Sequence, residues 1–192
     1  MIKVAVTGNI ASGKSQVERF ISELGYFVVD ADKLGHQVLL DYKEEIIPLF
    51  ENDDILDESG EISRIKLGNI VFFDEEKKKN LEKFSHKKIR EKICELFLLN
   101  KDKELVFVAV PLLFEAEMEN LFDKIIFVSA PESIRVDRLM KRNNYTKEQA
   151  MARINSQQEE QEKIKKSDFV INNNSDLENL KQLTIKTIEQ LI

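Results

Sequence analysis

Apolar residues follow two patterns along this chain. Five short runs are continuously apolar and rich in Val, Ile and Phe: residues 2–7, 26–30, 105–110, 124–129 and 168–172. Continuous rather than alternating runs predict strands covered on both faces, as in a parallel sheet. Between most of them apolar residues recur at helical spacing, as Val17, Phe20, Ile21 and Leu24 do after the first run. The alternation predicts an α/β fold, a doubly wound five-stranded parallel sheet with helices on both sides.

Two stretches break the rhythm. Residues 31–104 contain no convincing strand, far more chain than a crossover needs, and read as an inserted helical region. Its first part, residues 41–61, carries nine acids against one lysine and reads as a solvated surface. Its second part holds the core candidates Leu67, Ile70, Val71, Leu81, Phe84, Ile89, Ile93 and Phe97. The second break, residues 133–166, has nine Lys and Arg against five acids. It predicts a helix bearing Arg135, Arg138 and Arg142, then a second one started by Thr146 as N-cap with Gln149 at N3. This pair shows no obvious core stripe, as expected of a mobile cover over phosphates.

The first run leads into Gly8-Asn-Ile-Ala-Ser-Gly-Lys14-Ser15, a complete G-x-x-x-x-G-K-[ST] signature between a strand and an amphipathic helix. The backbone of Gly8 and of Ala11, Ser12, Gly13, Lys14, Ser15 and Gln16 is the expected cradle for phosphate oxygens. Lys14 supplies a point charge for the β- and γ-phosphates, and the Ser15 hydroxyl a ligand for Mg²⁺. The helix that follows aims its positive end at the same anion. The motif predicts a nucleoside-triphosphate site and leaves ATPases, GTPases, nucleotide kinases and motor domains open. Asp57-Glu-Ser-Gly60 lacks the apolar strand that a GTPase motif needs, and Asn100-Lys-Asp-Lys103 lacks the final Asp that reads guanine. The loop also lacks the G-x-G-x-x-G spacing of dinucleotide binders.

The second run ends Val28-Val-Asp30-Ala-Asp32. Placed beside the loop strand, its C-terminal end borders the ligand crevice, with two carboxylates facing the phosphates. One is expected to orient or deprotonate an acceptor hydroxyl, the other to cap the next helix or hold metal-bound water. Arg138 and Arg142, one helical turn apart, form a candidate clamp on the γ-phosphate, with Arg153 as a supplement.

Composition narrows the class. A net charge of −6 disfavours sequence-independent nucleic-acid binding, and no run of 18 apolar residues suggests a membrane span. The single cysteine, Cys94, excludes an internal disulfide, fits the cytoplasm and is expected to be buried or half-buried beside Ile93 and Phe97.

Five segments in order resemble the dephospho-CoA kinase family: residues 7–15, Val29-Asp-Ala-Asp32, residues 62–72, Val110-Pro-Leu-Leu-Phe-Glu115 and residues 167–173. The resemblance spans nearly the whole chain. It implies a P-loop kinase fold and ATP-dependent phosphorylation of the ribose 3′-hydroxyl of dephospho-CoA, the last step of coenzyme A synthesis. The core is then residues 1–31, 104–132 and 167–192, the helical substrate-binding insertion 32–103 and the helical lid 133–166. Asp32 matches the family's general base. Asn172 and Asn173 border the adenine, while Arg64, Lys66 and Glu115 fall to the CoA side. The implied partners are ATP, Mg²⁺ and dephospho-CoA, on a cytoplasmic monomer without nucleic acid or membrane.

This chain departs from the family pattern in places. Asn9 and Ala11 stand where the loop usually has glycine, and Gln16 where it has threonine. Asn9 suits a left-handed backbone, whereas Ala11 suits a position that needs no positive φ. Ala109 stands where many relatives have an acid, removing one carboxylate contact to the metal. His86 and His36 read as polar structural residues. A kinase with a small acceptor, a nucleotide-driven switch and a nucleic-acid modifier are the rival readings. The long insertion, the missing switch motifs and the shortness of the basic patch weigh against them in turn.

Overall fold

The computed structural model describes all 192 residues. Its strands are β1 Ile2–Gly8, β2 Phe27–Asp30, β3 Leu105–Ala109, β4 Lys124–Ser129 and β5 Phe169–Asn172. The helices are α1 Lys14–Glu23, α2 Ala31–Asp41, α3 Lys43–Ile46, α4 Arg64–Phe73, α5 Glu75–Leu99, α6 Glu132–Asn143, α7 Lys147–Asn155, α8 Glu160–Lys165 and α9 Leu177–Glu189. The chain forms two compact units. One is Met1–Asp30 with Leu99–Ile192, and the other is Ala31–Leu98.

In the first unit all five strands are parallel, in the order β2-β3-β1-β4-β5. β1 is central, with Val4, Ala5 and Val6 fully buried. Val4 and Val6 face Val17, Phe20 and Ile21 of α1 and Leu180 and Ile188 of α9 in one apolar layer. Each such side chain contributes about 1.5–3 kcal/mol by leaving water. The phosphate loop therefore leaves the best-anchored strand of the sheet.

The place expected for β2, beside β1, is taken by β3. Asp30 pairs with Ala109, and Ala109 with Val6. Asp30 thus stands two strand spacings from β1, roughly 10 Å. Burial explains the order. Every residue of β3 is buried, whereas every residue of β2 is half-buried, as befits an edge.

α6 and α7 also differ from expectation. Thr146 caps α7 and forms a capping box with Gln149, as the spacing predicts. The pair does have a core, however: Val136, Leu139, Ala150 and Ile154 are buried together, with Ile10 and Ala11 of the phosphate loop packed against them. The stripe is completed from the far end of the sequence.

The second unit packs around Ile46, Phe50, Ile55, Ile62 and Leu67, with Tyr42, Val71 and Phe84 against them. Lys88 Nζ lies 4.0 Å from the centroid of the Tyr42 ring, a cation–π contact. Ser63 caps α4 by accepting from the Lys66 N–H. Cys94 is exposed, not buried. Successive helical residues do not share a face, so Ile93 and Phe97 turn inward and Cys94 outward.

Candidate active site

The site is built where β1 gives way to α1. Two glycines are required there for different reasons. A Cβ on Gly8 would lie 2.5 Å from the Val128 carbonyl oxygen of β4, because adjacent parallel strands close over this point. Gly13, at the N-cap of α1, has φ 104° and would drive a Cβ into the Asn173 side chain. Both facts make the loop tight. Ala11 adopts φ 61°, so the position expected to need no positive φ does require a left-handed backbone. Strain of this kind costs of order 1 kcal/mol, offset here by its packing against the α6–α7 core. Asn9, by contrast, is not among the positive-φ residues. Its value lies in its side chain.

The amides of Lys14, Ser15 and Gln16 head α1, where an α-helix leaves its first donors without intrahelical acceptors. The Gln16 N–H bends back to Gly13 O at 2.9 Å, and the Ser12 N–H to Asn9 O at 3.0 Å. Ser12 Oγ and Gln16 Oε1 are buried polar atoms with no protein partner. A buried polar atom left unpaired costs about 1–3 kcal/mol. Of the two, the Ser12 hydroxyl can donate to an anionic oxygen, whereas the Gln16 carbonyl oxygen only accepts.

Lys14 Nζ is 2.5 Å from Glu18 Oε1, one turn further along α1. Both side chains are largely buried, at 13% and 15% exposure, so the ammonium is held against the helix it heads. Ser15 is exposed beside it.

Arg138 reaches the loop from α6. Its Nη1 donates to the Ala11 carbonyl at 3.0 Å and the Ser12 carbonyl at 3.1 Å. Burial lowers the guanidinium from its ordinary value, which still leaves it charged. Arg142, on the same helix, is exposed and donates from Nε to Asn143 Oδ1 at 2.9 Å. Of the two expected clamp residues, only Arg138 touches the loop here.

Asn173 sits beneath the loop. It is 4% exposed, and its Nδ2 donates to Ser12 O at 2.7 Å. Through this bond it braces the cradle. Its neighbours Asn172 and Asn174 instead line a cleft of about 340 Å³ with Ser129, Arg135, Glu160 and Gln161. Arg135 is 6% exposed, with Nε and Nη1 unpartnered and Nη2 3.4 Å from Glu160 Oε2.

The remaining candidates are spread. Asp30 closes β2, and Asp32 lies in the first turn of α2. Arg64 opens α4 and is exposed. Lys66 Nζ donates to Asp54 Oδ2 at 2.7 Å and to Leu56 O at 2.6 Å, bracing the loop before its own helix. Glu115, in the turn after β3, accepts from Lys163 Nζ at 2.6 Å. No cluster of three or more His, Cys, Asp or Glu is placed to hold a metal. Sequence reading missed Lys163 and Glu160 of α8 and Gln157 just before it, because this stretch resembles any charged surface segment until its partners are known.

The chain is similar to known proteins along nearly its whole length. The family model for dephospho-CoA kinase (CoaE) matches residues 2–179. The dephospho-CoA kinase of Listeria monocytogenes is 41% identical over 194 residues, covering 98% of this chain and 96% of its own. The solved dephospho-CoA kinase from Campylobacter jejuni superposes with TM-score 0.77 at 37% identity, covering 98% of this chain and 96% of its own. A solved protein from Thermus thermophilus reaches TM-score 0.85 at 34% identity, over 100% of this chain and 98% of its own. No helix is long and apolar enough to cross a membrane. A phosphate loop on the central strand of a five-stranded parallel sheet, matched along nearly its full length, places this chain in the dephospho-CoA kinase family, a family of ATP-dependent kinases.

Proposed function

We propose that this chain transfers the γ-phosphoryl group of ATP to the ribose 3′-hydroxyl of dephospho-CoA, giving coenzyme A and ADP. The observation that carries the donor half is the braced loop, its Ala11 and Ser12 carbonyls held by Arg138 and Asn173 and its buried Ser12 hydroxyl able to donate to a phosphate oxygen. Phosphoryl transfer needs little covalent help from protein. Positioning and charge neutralisation supply most of the acceleration.

ATP phosphates lie against the amides that head α1, and Lys14 turns from Glu18 toward the β- and γ-oxygens. Arg138 and Arg142 supply positive charge as residues 133–166 close over the phosphates, with water excluded and wasteful hydrolysis suppressed. The residues suit Mg²⁺, which binds through one or two protein ligands and fills its shell with phosphates and water. Ser15 would hold it, and no acidic cage is required. When bound, the ion screens charge on the bridging phosphate oxygens. The cleft at Asn172 and Asn174 suits the base.

Asp32 orients the ribose 3′-hydroxyl and accepts its proton. An ordinary carboxylate is a weak base, but in a loose transition state the proton leaves late, so orientation counts for more. Arg64 and the exposed apolar side chains of α4, Ile65, Phe72 and Phe73, offer the helical unit's contacts to a bulky acceptor. Lys66 and Glu115 contribute there only on release from their present partners. The working form is a monomer in the cytoplasm.

An acceptor screen tests this reading. With Mg-ATP, ADP release rises strongly on adding dephospho-CoA and little with adenosine or AMP. An equal response to all three removes the CoA assignment and leaves a general nucleoside kinase.

A further inference from the structure

Lys163 has no part in the chemistry above, yet it is 3% exposed. A lysine is almost never this buried without partners, since an unpaired ammonium in the interior is strongly disfavoured. Its partners come from two remote segments. Nζ donates to Glu115 Oε1 at 2.6 Å, in the turn after β3, and to Asn9 Oδ1 at 3.1 Å, in the phosphate loop.

Asn9 continues the connection. Its Nδ2 donates to Glu160 Oε2 at 3.3 Å, and Glu160 Oε1 in turn accepts from Ser129 Oγ at the end of β4. One residue further along the loop, the Ile10 N–H donates to Gln157 Oε1 at 2.8 Å. Glu160 and Lys163 lie one turn apart on α8, and Gln157 lies in the bend just before it. All three spend a side chain on loop residues 9 and 10. The same stretch of loop sends Ile10 and Ala11 into the apolar core between α6 and α7. Residues 9–11 are thus gripped on their side-chain side, while the amides that follow stay available at the head of α1.

The backbone does not demand this. Asn9 has no positive φ to justify it, and glycine would make the same turn. Its side chain is present for the bonds it makes.

We propose that Asn9 and Lys163 are positioning residues for ATP. Together they form a buried linkage through which the segment 157–163 fixes the position of loop residues 9 and 10. The linkage accounts for Asn9 at a position where the family's loop usually has glycine. It rests on the reading that the loop holds ATP phosphates, but it concerns only how that loop is held.

The test compares Asn9→Gly, Lys163→Met, their double variant and Lys163→Arg in the full-length protein. ATP affinity is measured by calorimetry, together with KM for each substrate. Asn9→Gly and Lys163→Met are each expected to weaken ATP about tenfold, the loss of roughly one charge-assisted hydrogen bond. KM for dephospho-CoA stays unchanged in Asn9→Gly, which leaves Glu115 on Lys163. The double variant is no weaker than the worse single one, because both changes break the same link, and Lys163→Arg restores most of the affinity. A plain loss of packing would lower thermal stability without this split between substrates. Because Lys163→Met strands a buried Glu115, Lys163→Met with Glu115→Gln is made as well and should bind ATP as Lys163→Met does. ATP affinities within twofold of the parent for Asn9→Gly and for that pair overturn the linkage, as do losses that multiply in the double variant. A parent that binds ATP but does not phosphorylate dephospho-CoA refutes the acceptor assignment instead, and calorimetry still decides the linkage.

Discussion

The Asn173 side chain donates to the Ser12 carbonyl at 2.7 Å, joining the end of the last strand to the loop after the first. The same amide occupies the space that a Cβ on Gly13 would need. Gly13→Ala therefore meets both a left-handed backbone and a steric block. Strain of about 1–3 kcal/mol is expected, or roughly ten- to hundredfold in ATP affinity. Adding Asn173→Ala removes the block but not the strain, so the double variant should recover part of the binding. Calorimetric titration with Mg-ATP checks this. A double variant worse than Gly13→Ala alone would show that the brace is not what the methyl meets.

Lys14 and Glu18 give a second prediction. The ammonium must leave the carboxylate before it reaches a phosphate. Glu18→Gln weakens that competing contact, which for a half-screened pair is worth about 0.5–1 kcal/mol. KM for ATP should fall about two- to fivefold. Lys14→Met should reduce kcat by orders of magnitude in the same assay. An unchanged KM in Glu18→Gln would mean the pair persists in the ATP complex.

Asp32→Asn separates chemistry from donor binding. Turnover is expected to drop by orders of magnitude while calorimetric ATP affinity stays nearly intact, since the proposed role concerns the acceptor hydroxyl. Normal turnover would take Asp32 out of the reaction.

The fourth prediction concerns acid stability. Partial burial acts to raise the Asp168 carboxyl. Hydrogen bonds from Lys124 Nζ and the Ile125 N–H outweigh it and hold the group below its ordinary value near 3.8. A carboxyl lowered on folding stabilises the native state fully above its unfolded value. That contribution is lost as pH falls through the lower folded value. Asp168→Asn should therefore reduce the melting temperature at pH 7 by a few degrees, with a deficit that shrinks as the pH is taken below about 3.8. Thermal scans across that range would detect an equal deficit at both ends, which would rule out the charge as the cause.

Much of the sheet was legible because parallel strands buried on both faces need no alternation. The run at residues 124–129 coincides with β4. The capping box of α7 was legible for a similar reason, since its two residues lie three apart. Strand order was not, because β2 and β3 differ in burial but hardly in composition. The core of the α6–α7 pair escaped notice because it takes Ile10 and Ala11 from across the chain. Asn9 was read as a backbone choice, when its role depends on Glu160 and Lys163. What sequence hides here is contact between distant segments. What it reveals is whatever a segment decides by itself.

The brace from Asn173 also sets an order of events during synthesis. β1 is made first but lies in the middle of the sheet, and its neighbours β3 and β4 emerge only after residues 105 and 124. The Ser12 carbonyl then waits for a partner 161 residues away. At about 5–20 residues per second, a ribosome needs roughly ten to thirty seconds to supply it. Through that interval the nascent chain carries its phosphate-binding signature without the support beneath it. Competence to hold a nucleotide thus waits on the strand that carries Asn173, as a property of the finished sheet.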